Sequence, residues 1–133
     1  ALWLELLDIA SHIQDPWIVL GDFNAILTPF EKICPSHLSI STREFKSTVD
    51  DCNLFEINLI GAKYTWYRKH YNKNVASKLD RAFVNMKALD IWDKISSVTL
   101  PRINSDHHPI LVNLLMNDRK PFFPFKFNNA FCT

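Results

Sequence analysis

Leu2, Leu6, Ile9, Ala10 and Ile13 recur at three- and four-residue steps, with Glu5, Asp8, Ser11 and Gln14 set among them. That spacing gathers the apolar side chains on one stripe and predicts an amphipathic helix. Asp15-Pro16 ends it, because proline cannot continue the hydrogen-bond ladder. Trp17-Ile18-Val19-Leu20 is a continuous apolar run, which suits a strand buried on both faces. It stops at Gly21-Asp22-Phe23-Asn24, where glycine permits a tight bend. Ser41-Thr42-Arg43-Glu44 reads as a capping box for a second helix, with Phe45, Val49 and Cys52 as its buried stripe.

Residues 64–67 are β-prone, and Asn72-Lys73-Asn74 is a turn signal. Residues 79–84 then read as the return strand of a hairpin, with Asp80 inside it. A short helix is predicted over 86–93 and strands over 95–100 and 110–116, the last opened by Pro109. The order α, β, α, β, β, α, β, β predicts an α/β sandwich with largely antiparallel sheets. The periodicity stops after Met116, and 117–133 reads as an aromatic-rich tail or linker.

Composition narrows the class more than the chemistry. Hydrophobic residues make up 47% of the 133 residues and charged residues 22%, which predicts a folded globular chain. The net charge is +1 and no basic run exceeds two residues, so charge alone does not argue for a nucleic-acid partner. Cys34, Cys52 and Cys132 have no CxxC spacing, fit neither a zinc site nor a disulfide framework, and suit a reducing compartment. No apolar run reaches the roughly 18 residues of a membrane span, so no membrane partner is expected. The chain opens mid-pattern at Ala1 without a basic region, which reads as a cut edge and not as a signal peptide. A nuclear or cytoplasmic, non-secreted location follows from these readings.

Three polar clusters fall at predicted strand ends. In Gly21-Asp22-Phe23-Asn24, a carboxylate and an amide two residues apart share a side if the segment is extended. Asp22 could hold a divalent cation or polarise a water, and Asn24 could orient a phosphate oxygen. A strand-ending Asp/Asn turn is the simpler alternative. In Ser77-Lys78-Leu79-Asp80-Arg81, Asp80 interrupts an apolar strand, and a buried carboxylate is costly unless paired. Lys78 and Arg81 are near in sequence, but Arg81 faces the opposite side of a strand, so a distant partner such as a histidine is required. In Ser105-Asp106-His107-His108-Pro109, carboxylate and imidazole stand together before a buried strand. Asp106 could ligate a hard cation, and His107 could donate to a phosphate as it gains charge. His108 faces the other way and reads as structural. His12, His37 and His70 read as solvated, and the cysteines as core or incidental residues.

Taken in order, Gly-Asp-Phe-Asn at 21–24, Tyr64-Thr65-Trp66, Ser77-Lys78-Leu79-Asp80-Arg81 and Ser105-Asp106-His107-His108-Pro109 resemble the endonuclease/exonuclease/phosphatase superfamily, which includes DNase I and abasic-site endonucleases. The flanks Pro16-Trp17-Ile18-Val19-Leu20, Asn24-Ala25-Ile26-Leu27 with Glu31-Lys32, and Leu79-Asp80-Arg81-Ala82-Phe83-Val84-Asn85 resemble the endonuclease domains of plant non-LTR retrotransposons. Pro124-Phe125-Lys126-Phe127-Asn128-Asn129 resembles the segment that joins such a domain to the reverse transcriptase.

The resemblance implies the C-terminal half of a four-layer α/β/β/α sandwich over 1–116, with 117–133 as the linker. It implies Mg²⁺- or Mn²⁺-dependent hydrolysis of DNA, with a reverse transcriptase domain or an N-terminal half as partners in a longer chain. Asp22 would align the attacking water, Asn24 would hold the scissile phosphate, and His107, oriented by Asp80, would stabilise its charge. Asp106, with Asp22 and Asn24, would bind the metal. Thr65, Trp66 and Arg81 would shape or contact the substrate groove. The family's N-terminal half carries a metal-binding Glu, an early Asn and a catalytic Tyr that this sequence lacks, and Glu5 lies on the wrong element to replace the Glu. Weak metal binding and an inactive fragment are therefore expected. Two other readings stay open: a non-catalytic remnant or interaction module, and a phosphatase of the same superfamily.

Overall fold

The computed structural model describes residues 2–33 and 40–116. It is an α/β fold with three helices and three sheets among the described residues. The elements run α1 (Leu2–His12), β1 (Ile18–Asp22), a 3₁₀ turn (Pro29–Glu31), α2 (Ile40–Asp51), β2 (Phe55–Glu56), β3 (Leu59–Ile60), β4 (Trp66–His70), β5 (Lys73–Ser77), β6 (Asp80–Val84), α3 (Met86–Ile91), β7 (Lys94–Thr99) and β8 (Ile110–Leu115).

The first sheet has the order β1-β6-β2, all antiparallel. The second has the order β3-β7-β8, with β3 parallel to β7 and β7 antiparallel to β8. The third is the hairpin β4-β5. One face of the first sheet packs against α1 and α2 through Leu6, Phe23, Phe45, Cys52, Leu54 and Phe83. Phe23 and Phe45 stack at 5.3 Å, and Phe83 meets both rings edge-on at 5.2 and 6.0 Å, arrangements that favour aromatic pairs beyond their area. The opposite face, with Ala82 and Val84, packs on Ile95, Ile110, Val112 and Leu114 of the second sheet, joined by Ala88 and Trp92. The result is helices on sheet on sheet, a sandwich-type arrangement as the pattern predicts.

The hairpin is where the predicted pairing fails. β4 returns through a two-residue turn at Tyr71-Asn72 into β5, not into residues 79–84. Lys-Asn-Val-Ala-Ser at 73–77 has too little apolar content to read as a strand, because Lys73 and Asn74 face water and the buried half ends in the small residues Ala76 and Ser77. Released from that role, β6 lies between β1 and β2 as the central strand of the first sheet. The two-residue strands β2 and β3 and the 3₁₀ turn were too short for any periodicity to show. α2 begins at Ile40, one residue before the predicted cap at Ser41, within the usual spread of helix boundaries.

Both glycines stand at positive φ, +148° at Gly21 and +112° at Gly61, where a side chain is strained. The other tight turns use Asn24, Asn53, Tyr71 and Asn104 in the left-handed region. Asparagine tolerates that region best after glycine, which is how two glycines suffice. Asn85 caps α3, its side-chain oxygen accepting from the backbone amides of Ala88 at 3.0 Å and Trp17 at 2.9 Å. Its amide donates to the Asp15 carbonyl at 2.8 Å. One side chain thus starts α3 and fixes the entry into β1.

Candidate active site

In the β1-β6 ladder, Asp22 lies directly opposite Asp80. Like charges in that register repel and destabilise the pair unless a third group joins them. His107 does so from the loop before β8. Its Nδ1 lies 2.8 Å from Asp80 Oδ2, and its Nε2 lies 3.8 Å from Asp22 Oδ2. The distance to Asp80 makes Nδ1–H the donor, so the pairing that Asp80 requires is present. Donor atoms from Asp22, Asp80 and His107 all lie within 4.8 Å of one another. The Asp80 side chain is 14% exposed, His107 34% and Asp22 46%, so the cluster opens to solvent on the Asp22 side.

Local structure explains the presentation. Phe23 is buried among Phe45 and Phe83, and its amide donates to the Leu79 carbonyl at 2.9 Å. That anchor leaves Asp22 and Asn24 exposed on either side of it. The chain is not extended at Asn24, however. Its φ of +50° closes an Asx turn in which its backbone amide donates to Asp22 Oδ1 at 2.8 Å. The Asp22 carboxylate is thereby held through Oδ1 while Oδ2 faces His107. The His107 loop is tied to the hairpin strand: the Tyr67 amide donates to the Asp106 carbonyl at 2.9 Å, Trp66 bridges His107, and the His108 amide donates to the Thr65 carbonyl at 2.7 Å. His108 Nδ1 donates to the Leu100 carbonyl at 2.9 Å, a structural bond as its position implies.

The expected site residues are therefore brought together in part. Asp22, Asp80 and His107 converge, with Asn24 next to Asp22 in the same turn. Asp106, expected to bind metal, is exposed and its carboxylate lies outside the cluster, whereas Asp80, expected only to orient His107, lies within it. Trp66 is half-buried beside the His107 loop. Thr65 and Arg81, expected at the substrate groove, are buried. Arg81 leaves the opposite face of β6 and pairs with Glu31 and with Glu56 at 3.1 Å, while Lys78 reaches Glu56 at 2.5 Å. Sequence gave no sign of this network, because its two carboxylates lie 50 and 25 positions from Arg81. Burial alone pushes the Glu31 carboxyl up, but the Arg81 hydrogen bond and charge, with the Leu27 and Thr28 amides, hold it below the usual carboxylate range. Burial, helped by the Asp51 charge, pushes the Cys52 thiol up, which makes it an inert core group. Cys34, Cys132, His37 and the predicted tail lie outside the described residues.

In donor type the cluster fits a divalent cation; in number it supplies three ligands where Mg²⁺ takes about six. Two carboxylates and one imidazole also suit Mn²⁺, which accepts nitrogen more readily.

An α/β sandwich with a carboxylate–carboxylate–imidazole cluster at a sheet end is the architecture in view. Among solved structures, it is similar to the endonuclease domain of TRAS1, a telomere-specific non-LTR retrotransposon, with a TM-score of 0.54 and 21% sequence identity. The match covers 77% of this chain and 44% of that one, so the chain spans less than half of the domain whose fold it shares. No protein-family model matches the chain, and no curated protein matches it in sequence.

Proposed function

We propose that residues 1–116 are part of a DNase I-like, metal-dependent phosphodiesterase domain of the retrotransposon endonuclease type, with DNA as substrate. The observation that carries this reading is the Asp22–Asp80–His107 cluster, assembled from three separate sequence motifs onto one sheet end. The fold shared with a retrotransposon endonuclease domain supports it. The flanking motifs favour the plant non-LTR type, and 117–133 is then the link to a reverse transcriptase domain. A nuclear or cytoplasmic site of action accords with that role. No helix among the described residues is long and apolar enough to cross a membrane.

The residues divide the work as follows. Asp22, fixed through Oδ1, keeps Oδ2 free to polarise an attacking water, and it would help hold a cation. Asn24, at the same turn, holds a phosphate oxygen without adding negative charge. Asp80 keeps the His107 ring in place through Nδ1, which leaves Nε2 to face the phosphate. A bound divalent cation would supply Lewis-acid polarisation of the phosphoryl group, held by Asp22 and Asp80, with Asp106 a candidate outer partner.

The direct test is a Mn²⁺ titration of the isotope-labelled chain. Paramagnetic broadening is expected first at the His107 ring and the Asp22 and Asp80 amides, and it should vanish in an Asp22→Ala/His107→Ala variant. Broadening spread evenly over surface carboxylates would overturn the reading. The same preparations should show negligible plasmid nicking with or without Mg²⁺. Asp22 and Asp80 would hold the cation without the metal-binding Glu that the resemblance implies, and a small misplacement costs on the order of a hundredfold in rate. Mg²⁺-dependent nicking that the double variant abolishes would show instead that these residues suffice.

A further inference from the structure

Thr65 has no solvent-accessible surface, yet it touches both parts of the candidate site. Its hydroxyl oxygen accepts from the backbone amides of Leu79 and Asp80, each at 2.9 Å. Its carbonyl accepts from the His108 amide at 2.7 Å, and its own amide donates to the Ser77 carbonyl at 3.1 Å. The next residue, Trp66, bridges His107. Asp80 and His107 come from segments 27 positions apart, and the backbone of each is held at Thr65 or beside it.

We infer that Thr65 is the positioning residue of the Asp80–His107 pair: its hydroxyl fixes the start of β6 while its carbonyl fixes the His107 loop, and so it sets which nitrogen of His107 carries the proton. The inference rests on the reading of Asp22, Asp80 and His107 as the metal and phosphate site. It replaces contact with substrate as the role of Thr65, since a side chain sealed from solvent touches no ligand.

The chemistry specifies the residue type. Two amides converging on one point need an oxygen with two lone pairs, which threonine and serine supply. Valine has the same shape as threonine and no acceptor. Leu79 and Asp80 N–H would then be buried without their partner, and the strand would shift or admit water to satisfy them. Either adjustment moves the Asp80 carboxylate relative to a ring held at 2.8 Å. A hydrogen bond of that length fixes one tautomer, and a looser one does not.

The test needs no turnover. Long-range ¹H–¹⁵N spectra of the neutral His107 ring should show a single Nδ1–H tautomer in the wild type and in Thr65→Ser. In Thr65→Val the ring should divide between tautomers. A purely structural role would lower the melting temperature of Thr65→Val and leave the tautomer unchanged. A folded Thr65→Val protein with a wild-type tautomer, or a divided ring in Thr65→Ser, would overturn the inference. Should Thr65→Val not fold, hydrogen exchange on the wild type decides. The Leu79 and Asp80 amides should be as protected as those of the β1-β6 ladder, and exchange at exposed-loop rates would equally overturn it. Mn²⁺ titration separates this inference from the functional reading. Diffuse Mn²⁺ binding with an intact tautomer would remove the metal site and leave the role of Thr65 in place.

Discussion

Asp80 and Arg81 are neighbours on β6, so their side chains leave opposite faces of the first sheet. Arg81 enters the face under α2 with its side chain 0% exposed, its guanidinium 5.4 Å above the Phe45 ring and paired with Glu31 and Glu56. With Lys78 on Glu56, two positive groups meet two negative ones. Asp80 leaves the other face towards Asp22, and there two carboxylates share one imidazole. The first site is balanced in charge around a fully buried guanidinium, although Arg81 Nε has no hydrogen-bond partner among the described residues; the second opens on the Asp22 side and is short of positive charge. A buried charge balanced by partners holds a fold together, whereas under the proposed function the unbalanced cluster at the open edge receives a cation or phosphate. That difference, more than the presence of charge in a strand, separates the scaffold residues from the candidate site residues.

The largest effect that would break the comparison is at Arg81. Arg81→Ala leaves Glu31 and Glu56 half-buried against a single lysine and removes the cation above Phe45. Breaking such a buried pair costs about 3–5 kcal/mol, a large part of the stability of a small domain. Asp80→Asn should cost only about 1.5 kcal/mol, the scale of one charge-assisted hydrogen bond, while abolishing site-selective Mn²⁺ broadening. Urea unfolding of both variants measures the contrast. Equal losses would mean that β6 does not divide its two faces in this way.

Acid sharpens the same contrast. The Glu31 carboxyl is held below its ordinary value of 4.5, so folding favours its charged form. Its contribution is fully present above pH 4.5 and is lost as pH falls through the lower folded value. Thermal unfolding followed from pH 6 to pH 3 should therefore show a loss of melting temperature below pH 4.5 that Glu31→Gln lacks. A Glu31→Gln protein that declines as steeply as the wild type would assign the acid sensitivity elsewhere.

The legible part of this molecule is what strand and helix periodicity carry. α1, β1, β6, β7 and β8 all have apolar runs or stripes, and the three site motifs stand at the ends of such runs. The need of Asp80 for a distant partner could also be read, because a carboxylate in an apolar strand is costly alone. Pairing was not legible in β5, where two exposed polar residues run into small buried ones without alternation, so residues 79–84 read as the partner of β4. Nor was the role of a charge legible where its partners are remote. Arg81 lies between a site aspartate and an apolar run, and only Glu31 and Glu56, folded in from elsewhere, decide that it is structural. Thr65 and Asp106 follow the same rule, since burial and distance across the fold decide what each can touch.

The smallest effect concerns Asp22, and it has the opposite sign. In metal-free buffer, Asp22→Asn removes one of two like charges in direct register across β1 and β6. Asparagine keeps an oxygen able to accept from the Asn24 amide, so the Asx turn survives. Relief of cross-strand repulsion is worth about 0.2–1 kcal/mol, and at 46% exposure solvent screening puts the gain at the low end. Asp22→Asn should therefore unfold slightly above the wild type in EDTA. Added Mn²⁺ should reverse the order, because a ligand that binds only the folded state stabilises in proportion to the logarithm of its saturation, and the variant has lost a carboxylate to hold it. A variant that is less stable than the wild type in both conditions would show that Asp22 belongs with Arg81, as part of the scaffold, and not with the open cluster.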